Sequence, residues 1–160
     1  MVLHAVCSNP FVVLILIDDM GWKDIGVTGS TVHRTPNLDR LARTGMVFDA
    51  AYASAPNCAP TRACIMTGLW TPRHGVYTVE DSMGGRADAR RFLAPSNTTE
   101  LATEFRTIAA SLRDAGYATA CIGKWNLGQG QNRPHSPTGQ GFDEFRHYKR
   151  LGFREGYFDG

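Results

Sequence analysis

The sequence lacks the features that define several protein classes. Its four cysteines form no C-x-x-C pair and have no zinc-finger spacing; they are Cys7, Cys58, Cys64 and Cys121. A disulfide framework is not expected in a chain of 160 residues with so few cysteines. The longest apolar run, residues 11–17, is far shorter than the ~20 residues that a membrane-spanning helix needs. We therefore predict neither a disulfide-stabilised domain nor a membrane span.

The charge of the chain is also small. Seventeen basic and 15 acidic side chains leave a formal net charge of +2, and the basic pairs at 90–91 and 149–150 do not extend into runs. Such pairs are typical of solvated surface, so nucleic acid is not expected as a partner. With 42% hydrophobic and 20% charged residues, the composition is that of a globular protein with a real core.

The first ten residues carry no complete export signal. A basic stretch followed by an apolar segment is missing before residue 11. Alternatively, "LHAVCSNP" fits the tail of a signal peptide cut after Ala5. We interpret residues 1–10 as an N-terminal segment, which in the second interpretation is the remnant of a signal peptide. The compartment stays open.

Apolar runs and turn signals predict alternating strands and helices. Residues 11–17 are apolar, rich in β-branched types and end at two acids, which favours a strand buried on both faces. "TPNLDRLARTG" predicts a helix that Thr35 caps, with Pro36 in its first turn and Gly45 at its end. Residues 46–53 predict a second strand.

The second half of the chain continues this alternation. We expect a helix over 61–67 closed by Gly68, a loop over 71–99, a helix over 105–116, a strand over 117–122 and a loop from residue 123. The 105–116 helix has one apolar face, formed by Phe105, Ile108, Ala109 and Leu112. Alternating strands and helices predict an α/β fold with a mostly parallel sheet and flanking helices.

Three reactive stretches follow predicted strands. They are Asp18-Asp19, Cys58 and the Gly-Lys-Trp sequence around Lys124. Each alone has an ordinary explanation, as a turn, a buried thiol or a solvated amine. Because ligands of parallel sheets bind beyond the carboxyl ends of the strands, we expect the three stretches to share one site.

The residue types at this edge suit an anionic ester. Paired carboxylates are costly unless a cation such as Ca²⁺ or Mg²⁺ binds them. The helix after Cys58 offers free N–H groups to an anion, and Arg62 lies one helical turn further on. Lys124 adds a second positive charge. Together they predict a pocket for a tetrahedral oxyanion ester.

The motifs at these positions resemble those of the sulfatase family. "CAPTRACIMTG" matches the sulfatase signature C-x-P-x-R followed by an apolar stretch and Thr-Gly. Further stretches are similar in the same order: "LILIDDMGW", "TPNLDRLARTG", "TPRHGVY", "LRDAGYATACIGKW" and "GFDEF". The resemblance implies an alkaline-phosphatase-like α/β fold, with residues 11–160 as the N-terminal portion of a catalytic domain that is incomplete in this chain.

The resemblance also implies an arylsulfatase-like sulfuric ester hydrolase. A separate formylglycine-generating enzyme would read C-x-P-x-R and oxidise Cys58 to Cα-formylglycine. One hydroxyl of the hydrated aldehyde would attack sulfur and expel the alcohol, and the second would let the sulfated intermediate collapse to sulfate and aldehyde. By the same resemblance Asp18, Asp19 and modified Cys58 bind the metal, Arg62 holds the formylglycine hydroxyl and Lys124 contacts the sulfate.

Two departures from the family pattern bear on activity. Asn126 stands where G-K-W-H-L-G has histidine, and asparagine cannot titrate near neutral pH. Losing general acid–base help costs about 10²–10⁴-fold in rate. Family members also continue further and supply an Asp-Asn pair, a His and a Lys. We expect His74, close to the Cys58 helix, at the pocket rim as a substrate-binding residue.

Two alternatives remain beside the sulfate-ester hydrolase. The chain is an inactive fragment or pseudoenzyme if Asn126 and the missing ligands abolish turnover. A phosphate-ester hydrolase of the same superfamily is the other, although such enzymes tend to use Ser or Thr where this chain has Cys58. Polysaccharide, steroid, lipid and aryl sulfates all remain open as substrates.

Overall fold

The computed structural model describes residues 10–79, 91–92, 94–128 and 133–146. The chain divides into two units, Met1–Ala53 and Ser54–Gly160. The described elements are a 3₁₀ turn at Gly26–Thr28, α1 (Pro36–Thr44), α2 (Cys58–Thr67), α3 (Thr71–His74), α4 (Ile108–Asp114), β1 (Ala120–Ile122) and β2 (Glu144–Arg146). Helices with a parallel strand pair confirm the predicted α/β class. In the described ranges, every helix is too short or too polar to cross a bilayer.

In the first unit, α1 confirms the helix that the sequence predicts. It begins with Pro36, follows Thr35 at the N-cap and ends at Gly45. The expected side-chain cap is wrong, because the Thr35 hydroxyl turns to other partners. Its Oγ1 accepts a 2.8 Å hydrogen bond from the Gly26 N–H and donates to Asp39 Oδ1 at 3.1 Å. Thr35 therefore ties α1 to the preceding 3₁₀ turn.

The two strands predicted in the first unit are wrong. Neither 11–17 nor 46–53 forms a strand, and each side chain of 11–17 is between 38% and 101% exposed. A strand exists through hydrogen bonds to a neighbouring strand, whereas apolar β-branched composition gives only a tendency. In the described part of the first unit, residues 10–53, there is no neighbouring strand to supply that ladder.

In the second unit, α2 begins at Cys58, three residues before the predicted start. Asn57 is extended, and Pro60 falls in the first turn, where the missing N–H costs nothing because it would have no helical partner. The helix ends as predicted at Gly68, whose φ of 69° is left-handed. One face of α2 is buried: Ala59, Pro60, Ala63 and Cys64.

The loop predicted over 71–99 contains one helical turn. Thr71–His74 forms α3, with Pro72 in its first turn and Gly75 at its end with φ of 73°. Proline in a first turn favours helix, and the sequence prediction counted it only as a loop former. Residues 80–90 and 93 of this predicted loop lie outside the described residues.

The helix predicted over 105–116 is confirmed as the shorter α4. Thr107 caps it, because its Oγ1 accepts a 3.1 Å hydrogen bond from the Ala110 N–H. Of the predicted apolar face, Ala109 is buried and Phe105 packs against the core. Ile108, in contrast, is 41% exposed. The single apolar face is thus only partly correct.

The strand predicted over 117–122 is confirmed in its last three residues, β1. β1 pairs in parallel with β2, and Cys121 lies opposite Phe145. Asp143 of the "GFDEF" motif joins the starts of the two strands, since its Oδ2 accepts from the Thr119 N–H at 2.8 Å and from its hydroxyl at 3.0 Å. These hydrogen bonds lower the pKa of Asp143. The acid of this motif therefore links the residues that immediately precede the two strands.

The core of the second unit joins α2 to the segment after β1. The buried alanines of α2 meet apolar side chains from distant parts of the chain; the cluster is Ala59, Ala63, Val76, Leu101, Trp125 and Leu127. Partly buried neighbours include Phe105, Cys121, Phe142 and Phe145. Burial of this surface brings the Cys58 helix and the Lys124 segment together.

Candidate functional site

Cys58 and Arg62 lie on the same side of α2. They are four positions apart and half-buried, while Ala59 and Ala63 of the adjacent face are in the core. Asn57 does not cap the helix with its side chain, which instead donates to Thr78 Oγ1 at 3.2 Å. The first N–H groups and the positive dipole end of α2 are therefore suited to an anion held next to Cys58.

Arg62 connects α2 to the segment that follows β1. Its Nη1 donates a 2.6 Å hydrogen bond to the main-chain oxygen of Lys124, 62 positions later. The same guanidinium lies close to Cys121: burial raises the pKa of that thiol, and the positive charge of Arg62 opposes the rise. The structure thus brings Cys58, Arg62 and the main chain of Lys124 into one region of the second unit.

The segment after β1 presents its polar side chains away from the core. Trp125 and Leu127 are buried, whereas Lys124 is exposed and Asn126 half-buried. The Trp125 indole Nε1 donates to the carbonyl of His135 at 2.9 Å, and the Leu127 carbonyl accepts from the Leu101 N–H at 2.9 Å. Because Trp125 and Leu127 are anchored in the core, Lys124 and Asn126, which alternate with them, have side chains outside the core.

Two candidate site residues have a left-handed backbone. Among the described residues, Asp19 with φ of 57° and Asn126 with φ of 62° are the non-glycine residues with positive φ. Aspartate and asparagine tolerate this region better than most residues, but it is still sparsely populated. Such conformations cluster at functional sites. Both residues are also candidate site residues because of the chemistry of their side chains.

Asp18 and Asp19 occupy a turn directly after residues 11–17 in the first unit. Asp18 is half-buried and Asp19 exposed. Adjacent carboxylates match the oxygen ligands that Ca²⁺ or Mg²⁺ prefers, and they would supply two of about six ligands. Over the described ranges, no three His, Cys, Asp or Glu side chains gather at one point. The donor type fits a hard cation, and the meeting of these acids with Cys58 stays a prediction.

His74 is 3% exposed and has both ring nitrogens within hydrogen-bond reach of the surrounding fold. Its Nδ1 accepts from the Val76 N–H at 3.1 Å, so Nε2 carries the proton and donates to Cys64 Sγ at 3.3 Å. Burial lowers the pKa of His74, because the charged ring is poorly solvated there. This placement favours a structural role, and direct substrate contact stays a prediction.

The residues that hold the Lys124 segment belong to none of the motifs in the sequence. His135, in a turn after the Lys124 segment, is half-buried, and its ring contacts the Leu101 carbonyl at 2.8 Å. The signal that could have found part of this arrangement is the alternation in Lys-Trp-Asn-Leu. Apolar residues at 125 and 127 predict an anchored strand-like segment with polar residues on its other side.

Comparison with known proteins identifies a family. A family model described as Sulfatase matches residues 10–154. Over 144 residues, 40% of positions are identical to N-acetylgalactosamine-6-sulfatase of Mus musculus, covering 85% of this chain and 25% of that protein. Steryl-sulfatase of Homo sapiens is 38% identical over 146 residues, covering 89% of this chain and 24% of that protein.

A solved structure shows the same fold. The crystal structure of Ps i-CgsB superposes with a TM-score of 0.67 and 32% identity, covering 82% of this chain and 26% of that one. This likeness confirms the predicted alkaline-phosphatase-like α/β fold. The chain therefore spans about a quarter of the length of these relatives.

Proposed function

Because this chain belongs to the sulfatase family, we propose that the protein hydrolyses sulfate monoesters through a formylglycine made from Cys58. The observation that carries the proposal is the hydrogen bond from Arg62 to the Lys124 carbonyl. It holds the C-x-P-x-R helix against the Gly-Lys-Trp segment. The proposed nucleophile and the proposed anion-binding lysine thus belong to two distant motifs that this bond links.

Three positive groups would suit binding of a sulfate ester at Cys58. The amino end of α2, the Arg62 guanidinium and the Lys124 ammonium would all favour negative charge at the reacting group. When present, formylglycine supplies a hydrated aldehyde whose two oxygens serve attack on sulfur and release of sulfate. Arg62, one turn from position 58, would orient the attacking oxygen. Fixed cationic groups of this kind stabilise the charge that develops in the transition state.

Asp18 and Asp19 would hold the divalent cation. When bound, Ca²⁺ or Mg²⁺ would withdraw electron density from the sulfate oxygens. The two carboxylates would fix its position, with position 58 as a further ligand.

Asn126 would act as a hydrogen-bond partner without proton transfer. Its amide both donates and accepts, but it does not titrate near neutral pH. Compared with a family member that has histidine at this position, we expect turnover to be lower by about 10²–10⁴-fold. The proposed substrate class is a sulfate monoester.

We also propose that residues 11–160 are the N-terminal portion of a longer catalytic domain. The match to about a quarter of each relative supports this assignment. Sequencing the DNA that follows codon 160 tests it: a continuing frame with an Asp-Asn pair is expected. A stop codon there would contradict the assignment.

The experiment that tests the function uses the full polypeptide that the gene encodes, co-expressed with a formylglycine-generating enzyme. Peptide mass analysis should find Cys58 converted to the aldehyde. Cys64 on the same helix is the matched internal control and should remain a thiol. Persistent thiol at Cys58 would contradict the proposed nucleophile.

Turnover then separates the candidate activities. With Ca²⁺ added, the converted protein should hydrolyse an aryl sulfate faster than an aryl phosphate, and Cys58→Ala should abolish the reaction. Preference for the phosphate would favour the phosphate-ester hydrolase. Hydrolysis of neither ester by fully converted protein would favour the pseudoenzyme.

A further inference from the structure

A closed set of hydrogen bonds surrounds the two buried residues of the Lys124 segment. The Trp125 indole donates to the His135 carbonyl, the His135 ring bonds the Leu101 carbonyl, and the Leu101 N–H donates to the Leu127 carbonyl. The three distances are 2.9, 2.8 and 2.9 Å. We call these four residues, Leu101, Trp125, Leu127 and His135, the His135 bracket.

Within the bracket, His135 contributes a polar side chain that lies outside the apolar core. Its ring can therefore be replaced without changing that core. A carbonyl oxygen can only accept, so His135 Nδ1 carries the proton that it donates to Leu101. The other ring nitrogen lies 3.7 Å from Glu100 Oε2. The Gln140 amide donates to the same Leu101 carbonyl at 2.8 Å. The position of Leu101 is thus fixed by two side-chain donors.

Close packing leaves the bracket little freedom to shift. Leu101 and Leu127 are fully buried, and the Trp125 ring meets Phe142 edge-on with centroids 6.1 Å apart. A Cβ atom added to Gly128 would lie 2.4 Å from the His135 carbonyl oxygen. The chain after Leu127 therefore passes directly against His135, at a distance that only glycine permits.

We propose that His135 is a positioning residue that holds Lys124 and Asn126 in place for catalysis. The catalytic part of this inference rests on the proposed sulfatase function. Lys124 and Asn126 alternate with the two anchored residues, so a displacement of either anchor moves both polar side chains. Asn126 also keeps a left-handed backbone, and such a conformation persists only where its neighbours over-determine it.

Misplacement of catalytic groups by about 1 Å can cost on the order of 10²-fold in rate. The bracket acts through Leu101 and the main chain, and His135 has no assigned contact with substrate. The expected signature is a fall in kcat without loss of folded protein.

The test compares two substitutions in the full, converted protein. His135→Asn places an amide donor where Nδ1 lies, whereas His135→Phe keeps a ring and removes the donor. The main-chain carbonyl that accepts from Trp125 remains in both. His33→Phe is the matched control, because His33 has a side chain that is 58% exposed in the first unit.

Two readouts are measured on each variant. The first is kcat and KM on an aryl sulfate, normalised to formylglycine content. We expect His135→Phe to lower kcat by about tenfold or more, as for misplaced catalytic groups, with KM little changed. His135→Asn should recover most of the loss. Equal kcat in the Asn and Phe variants would overturn the proposal.

The second readout does not depend on turnover. Amide chemical shifts of Lys124 and Asn126, and hydrogen exchange at the Leu101 N–H, should change in His135→Phe and return in His135→Asn. If the wild type is inactive, the amide measurements still test whether His135 positions the segment. The absence of turnover then counts against the proposed function alone. Unchanged amides in His135→Phe would overturn the inference whatever the activity.

A second variant covers the case in which His135→Phe does not fold. Trp125→Phe keeps an aromatic ring in the core but removes the indole donor to the His135 carbonyl. It should disturb the same two amides and lower kcat in the same manner. Normal amides and normal kcat in Trp125→Phe would contradict the bracket.

Discussion

Arg62 on α2 donates a 2.6 Å hydrogen bond to the main-chain carbonyl of Lys124. The acceptor belongs to the backbone, so the bond does not depend on which side chain stands at 124. Lys124 can therefore be replaced without untying the two motifs, whereas replacing Arg62 releases them. The positively charged residue within C-x-P-x-R has a structural partner as well as a proposed chemical one.

Arg62→Lys should lower kcat/KM by about 10²-fold, the usual cost of one transition-state hydrogen-bond donor. Lysine keeps the charge but lacks the planar fork that can reach the Lys124 carbonyl and position 58 together. Because Arg62 is part of the modification motif, rates are divided by the formylglycine fraction from mass analysis. Arg73→Lys in α3, at an exposed arginine, is the control and should be neutral. Wild-type rates in converted Arg62→Lys would contradict the assigned role.

Asn126→Gly and Asn126→Ala should separate backbone strain from side-chain chemistry. Glycine adopts φ of 62° freely, whereas alanine is strained there by about 1 kcal/mol. Urea unfolding should therefore show alanine less stable than glycine by that amount. Both variants lose the amide, and both should lower kcat. Equal stability of the two would mean that residue 126 is not left-handed.

Asp19→Asn should weaken Ca²⁺ binding by about tenfold or more, because affinity depends on the number of charged oxygen ligands. Asparagine has the same shape and tolerates the left-handed backbone at φ of 57°, so the substitution removes charge alone. Titration calorimetry measures the affinity. Asp49→Asn, at an exposed acid of the same unit, is the control. A Ca²⁺ affinity equal to wild type would exclude Asp19 as a ligand.

His74 should make stability fall in mild acid. Its pKa in the folded protein lies below the ordinary 6.5, so the unfolded chain binds the extra proton first. The free energy of unfolding is therefore full above about pH 6.5 and decreases as the pH falls from there toward the folded pKa.

His74→Gln tests this pH dependence, because glutamine does not titrate but can still donate toward Cys64. Urea unfolding at several pH values from about 5 to about 8 should give a flatter profile than wild type. His33→Gln, at an exposed histidine, is the matched control for the substitution itself. Equal slopes in wild type and His74→Gln would show that another group is responsible.

Local signals explain which parts of the fold could be predicted. The ends of α1 and α2 follow from Pro36, Gly45 and Gly68, whose backbone preferences act within a single turn. Residues 11–17 have a compositional tendency toward strand, but a ladder needs a partner strand that composition cannot supply. The start of α2 was placed three residues too late, because Pro60 fits a first helical turn as well as a loop.

The candidate site also has parts that the sequence predicts and parts that it does not. The shared face of Cys58 and Arg62 follows from their spacing of four along a helix. The contact between Arg62 and the Lys124 carbonyl could not be read from the sequence, since it joins a side chain to a main-chain atom 62 positions away. The role of His135 could not be predicted for the same reason. One of its two hydrogen bonds uses its main-chain carbonyl, and the other joins its ring to Leu101, 34 positions earlier.

The inward and outward order of residues 124–127 also constrains chain length. Inserting one residue between Ile122 and Lys124 would put the ammonium where the indole is buried, and deleting one would put the Asn126 amide there. Either change would expose the indole to water. A buried cation without a partner, or the loss of the Trp125 indole from the core, would impair both folding and the proposed catalysis. The spacing from β1 to Leu127 is therefore part of the site itself.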